Sequence, residues 1–201
     1  MPFARLQVTG LPRIGSEIPR AGGPISRALG RWALRAIGWR VEGEIPNLSK
    51  FVLIAAPHTS NWDFVVGITA KLALGIGVVF LGKDTLFRFP LGMLMRRWGG
   101  VPVDRSVSRD VVSSIVGEFA RRDRMVLALA PEGTRKHVAR WRTGFYHIAH
   151  AARVPIVPVA LNFGARAIQI GTPFRTTGDL ERDLPELQQR FAGVRGLRPK
   201  V

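Results

Sequence analysis

The sequence predicts an α/β fold: one layered domain with a mostly buried mixed sheet flanked by helices, preceded by an N-terminal amphipathic helix. Short apolar runs alternate with segments of helical periodicity, the pattern of strands and helices stacked in layers. The runs are nearly all apolar, as expected of strands covered on both faces. At 201 residues and 46% hydrophobic, the chain is large enough for one sizeable core.

The elements follow in order. Residues 1–23 are rich in Gly, Pro and Arg and read as irregular. Residues 25–40 (ISRALGRWALRAIGWR) read as a two-faced helix. Ile25, Leu29, Trp32, Ala36 and Trp39 recur at helical spacing, while Arg27, Arg31 and Arg35 line another face. Such a helix can lie in a membrane interface or pack on the core as a surface helix. Strands are expected at 51–56 (FVLIAA), 77–81, 101–103, 125–130 (MVLALA), 156–161 (IVPVAL) and 167–170. Helices are expected at 62–74, 89–98, 108–122, 144–153 and 179–192, with Ser108 as an N-cap. Pro158 inside an apolar run predicts a free strand edge or a bulge.

Composition removes several chemistries. The chain has no Cys, so it has neither a thiol nucleophile nor a disulfide. Thirty Lys and Arg against fourteen Asp and Glu give a net charge of +16, and only five of the cations are Lys. That field attracts anions: nucleic acid, an anionic membrane, or a phosphorylated or CoA-bearing substrate. Arg5, Arg13 and Arg20 interrupt the start, which predicts no secretory leader. The most apolar stretch, 64–82, holds Lys71 near its middle and reads as a buried helix and strand rather than a membrane span.

Three polar motifs sit where strands end. The first is Pro57-His58-Thr59-Ser60-Asn61-Trp62-Asp63. If the loop folds back, Asp63 can hold one ring nitrogen of His58 and leave the other basic. No GxSxG element surrounds any Ser, so the pair is a base without a protein nucleophile, suited to attack by a substrate hydroxyl. A loop histidine beside a helix cap is the structural alternative. The second is Gly99-Gly100-Val101-Pro102-Val103-Asp104-Arg105, where Arg105 is either a forked phosphate donor or a surface turn residue. The third is Pro131-Glu132-Gly133-Thr134-Arg135, whose N–H groups and Arg135 suit a phosphate.

H-x4-D, a Gly-rich segment ending in Arg, P-E-G-T-R and a final V-P-I-V-P at 154–158 occur in one order. Together they resemble the 1-acylglycerol-3-phosphate acyltransferase (lysophospholipid acyltransferase) family over roughly residues 50–175. The sequence departs from that pattern at Pro57 (Asn in the family), Ala130 (Phe) and Lys136 (Ser), but not at the His–Asp pair.

The resemblance implies that His58 and Asp63 are catalytic. It implies that Arg105, Glu132, Gly133, Thr134, Arg135 and, more weakly, Lys83 bind the acceptor, while Pro155 and Pro158 fall in a block tied to donor binding or structure. The implied reaction moves a fatty acyl group from acyl-CoA or acyl carrier protein to a hydroxyl of 1-acylglycerol-3-phosphate or a related lysolipid in phospholipid biosynthesis. It calls for no metal and no redox cofactor. The partners implied are the thioester donor, the phosphate-bearing lysolipid and an anionic membrane surface. The place implied is the cytoplasmic face of the membrane, peripheral or monotopic. Residues 1–45 then form the N-terminal segment and anchor helix, and 46–201 the acyltransferase domain; Phe87, Phe89, Leu91 and Met93 offer a second anchor.

Two rival classes are weaker. The net charge suits a nucleic-acid-binding module, but its cations are dispersed and no nucleic-acid motif occurs, so no nucleic acid is expected. His147 and His150, with His137 nearby, suggest a metal site, but acidic ligands at matching spacing are missing.

Overall fold

The computed structural model describes residues 10–103, 108–135 and 140–198. Its elements are α1 (Pro24–Ala36), β1 (Arg40–Glu42), β2 (Lys50–Ala56), α2 (Asn61–Leu74), β3 (Val78–Lys83), α3 (Leu91–Arg97), β4 (Gly100–Val103), α4 (Ser108–Arg121), β5 (Met125–Leu129), α5 (Gly144–Ala151), β6 (Ile156–Asn162), β7 (Ala167–Ile170) and α6 (Leu180–Gln189). The strands form one seven-stranded sheet in the order β1-β7-β6-β2-β5-β3-β4. Every pairing is parallel except β6 with β7, which makes the sheet mixed as expected.

The apolar run at 51–56 becomes the central strand. β2 pairs with β5 on one side and β6 on the other, and its alternate residues feed two cores. Phe51 faces Val66, Ala70 and Leu74 of α2 together with Val126 and Val157. Val52 and Ile54 face Ile115 and Phe119 of α4, Tyr146 of α5 and Leu187 of α6. Because β2, β3, β4 and β5 run parallel, their C-terminal ends share one rim, where loops leaving a parallel sheet build sites. That rim receives the histidine loop after β2 and the P-E-G-T-R loop after β5.

Several local expectations change. β1 is a strand too short to show a pattern, and it pairs with β7 at Val41↔Ile168. A 3-10 turn over Asp84–Phe87 precedes α3. Pro158 lies neither at a free edge nor in an unpaired strand: β6 sits between β2 and β7, with Pro158 opposite Ile54. Its carbonyl accepts from Gly171 N–H at 2.8 Å, just beyond the end of β7, so the missing proline N–H costs only the last rung of that ladder.

The N-terminal helix ends at Ala36, earlier than its apolar pattern implies. It packs on α2 through Gly30 and Leu34. A side chain at Gly30 would meet the Ala73 backbone nitrogen at 2.4 Å, so only glycine lets the two helices approach this closely. Ile25, Leu29 and Trp32 point outward, with Trp32 69% exposed. Among the described residues, no helix is long and apolar enough to cross a membrane.

Candidate active site

The histidine loop is built by the start of α2. Ser60 is the N-cap; its Oγ accepts from Trp62 N–H at 3.2 Å, and Asp63 answers from the third helical position by accepting from Ser60 N–H at 2.8 Å. This reciprocal cap folds the loop back on the helix. Asp63 Oδ2 also accepts from Thr59 N–H at 2.6 Å. The same oxygen lies 2.9 Å from His58 Nδ1. A carboxylate oxygen accepts, so in a neutral ring this contact places the proton on Nδ1 and leaves the lone pair on Nε2. Asp63 is 3% exposed, while the His58 side chain stays 26% exposed at the rim. Asp63 Oδ1 is buried with no hydrogen-bond partner among the described residues.

The P-E-G-T-R loop is bonded to this one. Glu132 is 2% exposed, and its Oε2 accepts from His58 N–H at 3.1 Å. Its carboxylate therefore braces the histidine loop, a role the expected acceptor contact did not include. Arg135 is exposed, and its Nη1 donates to Asn61 Oδ1 at the head of α2. The structure thus brings His58, Asp63, Glu132 and Arg135 together from two loops far apart in the chain. Gly133 lines the adjoining cavity, and Thr134 lies partly buried beside it. Lys83 closes β3 on the same rim. Arg105 falls outside the described residues, as do Lys136 and His137; β4 ends at Val103, two residues before Arg105.

A cavity of about 450 Å³ opens beside His58 and Asp63. Its wall along α2 is Phe64, Gly67, Lys71 and Leu74, one face of the helix at helical spacing. At ~1.5 Å per residue, the step from Asp63 to Leu74 spans roughly 16 Å. Phe51 and Leu53 of β2 supply part of the opposite wall. Apart from the groups at the rim, the lining is overwhelmingly apolar. Lys71 is the exception deeper in: its Nζ donates to the Trp98 carbonyl, and burial holds its pKa below the usual lysine value.

Sequence reasoning missed Arg142. Its N–H donates to Pro131 O at 2.8 Å, its stem lies across Gly133, and it lines the cavity. No local pattern marks it, since only the closed loop sets it beside the third motif. His147 and His150 flank Tyr146: His150 stacks on that ring with centroids 6.2 Å apart, and its Nδ1 lies 3.0 Å from Thr176 Oγ1. Among the described residues, no three His, Asp or Glu side chains gather into a metal-binding group.

Known proteins resemble this chain in sequence and in fold. The pattern of the Acyltransferase family matches residues 39–162, more than half of the chain. A 1-acyl-sn-glycerol-3-phosphate acyltransferase of Escherichia coli (strain K12) is 31% identical over 122 residues, covering 57% of this chain and 48% of that protein. One from Haemophilus influenzae is 30% identical over 151 residues, covering 70% of this chain and 61% of its own length. The chain therefore spans about half to three-fifths of the curated relatives it matches. The crystal structure of the 1-acyl-sn-glycerophosphate (LPA) acyltransferase PlsC from Thermotoga maritima has the same fold, with a TM-score of 0.54 at 19% identity over 87% of this chain and 80% of that one. The matched segment runs from just before β1 to the end of β6 and holds both bonded loops, and on that match this chain belongs to the acyltransferase family.

Proposed function

We propose that this chain is an O-acyltransferase that moves a fatty acyl group from acyl-CoA or acyl carrier protein to a hydroxyl of 1-acylglycerol-3-phosphate or a related lysolipid. The observation that carries the reading is a carboxylate-held imidazole, His58 Nδ1 at 2.9 Å from Asp63, facing an apolar cavity of about 450 Å³. The curated relatives, themselves named as 1-acyl-sn-glycerol-3-phosphate acyltransferases, support the acceptor class.

The mechanism uses this chain's own groups. His58 Nε2 takes the proton from the acceptor hydroxyl as its oxygen attacks the thioester carbonyl. The tetrahedral oxyanion collapses, the C–S bond breaks, and the departing thiolate takes the proton from the imidazolium. Asp63 stabilises that imidazolium and keeps the ring in the right tautomer. Arg135, with Arg105, binds the acceptor's phosphate as a forked cationic donor. The acyl chain lies along the α2 wall of the cavity. No step calls for a metal or a redox cofactor.

The enzyme works from the membrane surface, on the cytoplasmic face. Ile25, Leu29 and Trp32 on α1 are exposed beside Arg31 and Arg35, and Phe89, Leu91 and Met93 are exposed beside Arg88 and Arg96. Apolar side chains interleaved with cations suit an anionic bilayer. The double variant Leu29→Ala/Trp32→Ala should float with phosphatidylglycerol vesicles several-fold less than the parent protein. Equal flotation would remove α1 from the membrane contact.

The function itself is tested by incubating the protein with acyl-CoA or acyl carrier protein thioesters and a panel of lysolipids, reading the product by mass spectrometry. A diacylated phospholipid carrying the donor's chain is expected. Arg135→Ala should raise the KM for a phosphate-bearing acceptor about tenfold, a loss of ~1.4 kcal/mol. No acylated product from any acceptor would overturn the reading.

A further inference from the structure

The C-terminal segment approaches the histidine loop from a direction nothing in the motifs anticipates. Leu197 N–H donates to Thr59 Oγ1 at 3.1 Å, and Arg198 N–H reaches the same oxygen at 3.4 Å. Upstream, the segment is moored to the sheet: Phe163 N–H, just after β6, donates to Arg195 O at 2.8 Å. Gly196 between them passes so close that a side chain there would meet Thr59 Cγ2 at 2.6 Å and Pro57 Cγ at 3.3 Å. Thr59 is consequently 4% exposed, although it sits in a loop at the sheet rim.

Thr59 is also the residue whose N–H donates to Asp63 Oδ2 at 2.6 Å, the oxygen that holds His58 Nδ1. One residue therefore receives the tail through its side chain and holds the carboxylate through its backbone. We infer that residues 195–198 are a strap that positions the catalytic pair by fixing Thr59, which makes Thr59 a positioning residue rather than a catalytic one. The strap keeps the Thr59 N–H aimed at Asp63 Oδ2, and this keeps the carboxylate aimed at the ring. Misplacement of a reacting group by about an ångström costs on the order of a hundredfold in rate, so a loosened loop shows in turnover before it shows in binding.

This inference rests on the reading of His58 and Asp63 as the base pair, and its test separates the two. The variants are Thr59→Val, which keeps the shape and loses the acceptor, Thr59→Ser, which keeps the acceptor, and a chain ending at Arg195. In the acyl-transfer assay, Thr59→Val and the shortened chain should each lower kcat about ten- to a hundredfold, with both KM values within about twofold. Thr59→Ser should restore kcat to within about threefold of the parent. The shortened chain carrying Thr59→Val should be no slower than either change alone, because both break one connection.

A second readout does not depend on turnover. The downfield NMR signal of the His58 Nδ1 proton, identified by its loss in His58→Ala, should broaden by exchange in Thr59→Val and persist in Thr59→Ser. If the shortened chain fails to fold, the two Thr59 variants decide alone. Unchanged kcat and an unchanged proton signal in Thr59→Val would overturn the strap. So would a Ser variant as impaired as Val, or losses that multiply. An inactive parent protein would instead sink the acyl-transfer reading, leaving the proton signal to judge the strap.

Discussion

Among the described residues two aspartates are buried, Asp63 at 3% and Asp183 at 1% exposed, and they are wired differently. Asp183, in α6, is fully satisfied. Its Oδ2 accepts from Tyr146 Oη–H at 2.8 Å and Thr177 N–H at 2.6 Å, and its Oδ1 accepts from Thr177 Oγ1–H at 2.9 Å. The Tyr146 hydroxyl in turn accepts from Gly178 N–H at 3.1 Å. Asp63 crowds its bonds onto one oxygen, shares that oxygen with an imidazole that reaches the rim, and leaves Oδ1 without a partner among the described residues. A closed network rigidifies a fold. An open one, beside a cavity, keeps capacity in reserve for chemistry. Burial is thus common to both carboxylates, and wiring separates the staple in α6 from the carboxylate that holds His58.

The same substitution at both positions sharpens that contrast. Asp63→Asn should give the largest effect. Thr59 N–H, Ser60 N–H and His58 Nδ1 all meet Oδ2, so a carboxamide oxygen that keeps the two backbone bonds still faces the ring, while the NH₂ takes the buried place of Oδ1, which has no partner among the described residues. The imidazolium formed in the proposed reaction then lacks its counter-charge, and kcat should fall about 10²–10⁴-fold. Comparable turnover in the variant would break the distinction.

Asp183→Ala comes next. It strands the Thr177 N–H and removes the Tyr146 acceptor, and should cost about 1–3 kcal/mol in denaturant unfolding with little change in kcat. Asp183→Asn should be the mildest, because the Thr177 hydroxyl can reverse to accept from the new NH₂. Its signature is in acid. Burial alone would raise the Asp183 pKa, but hydrogen bonds from Thr177 and Tyr146 outweigh it and hold the pKa below the usual carboxylate value. A depressed folded pKa adds stability above the unfolded value of ~3.9 and loses it as pH falls through the folded one. The gap in unfolding midpoint between parent and Asp183→Asn should therefore be widest above about pH 4 and close below it. A constant gap would show that the charge at Asp183 contributes nothing.

What the sequence made legible follows from distance along the chain. His58 and Asp63 are five residues apart across a helix start, so the capping logic that joins them is local. The strand ends were legible too, because apolar runs stop abruptly before Pro57 and Pro131. The bond between Glu132 and the His58 backbone spans 74 residues, and that from Leu197 to Thr59 spans 138; neither has a local signature. Arg142 belongs with them, brought in by loop closure. The periodicity of α1 marked an apolar face but not which side the protein covers. The core took Gly30 and Leu34 and left Trp32 outside. Pro158 misled because a proline penalty depends on where the missing N–H points, and here it points past the end of β7.

In the proposed reaction the His58 imidazole takes the acceptor's proton during acyl transfer. The most direct test of that step is a rapid-quench single turnover of thioester with excess lysophosphatidate, comparing the parent protein with a folded His58→Ala variant whose melting temperature matches it. The parent should form diacyl product, and the variant's rate constant should drop by at least about 10³-fold with substrate binding retained. Product formation by His58→Ala at a rate near the parent's would remove the imidazole from the proton transfer.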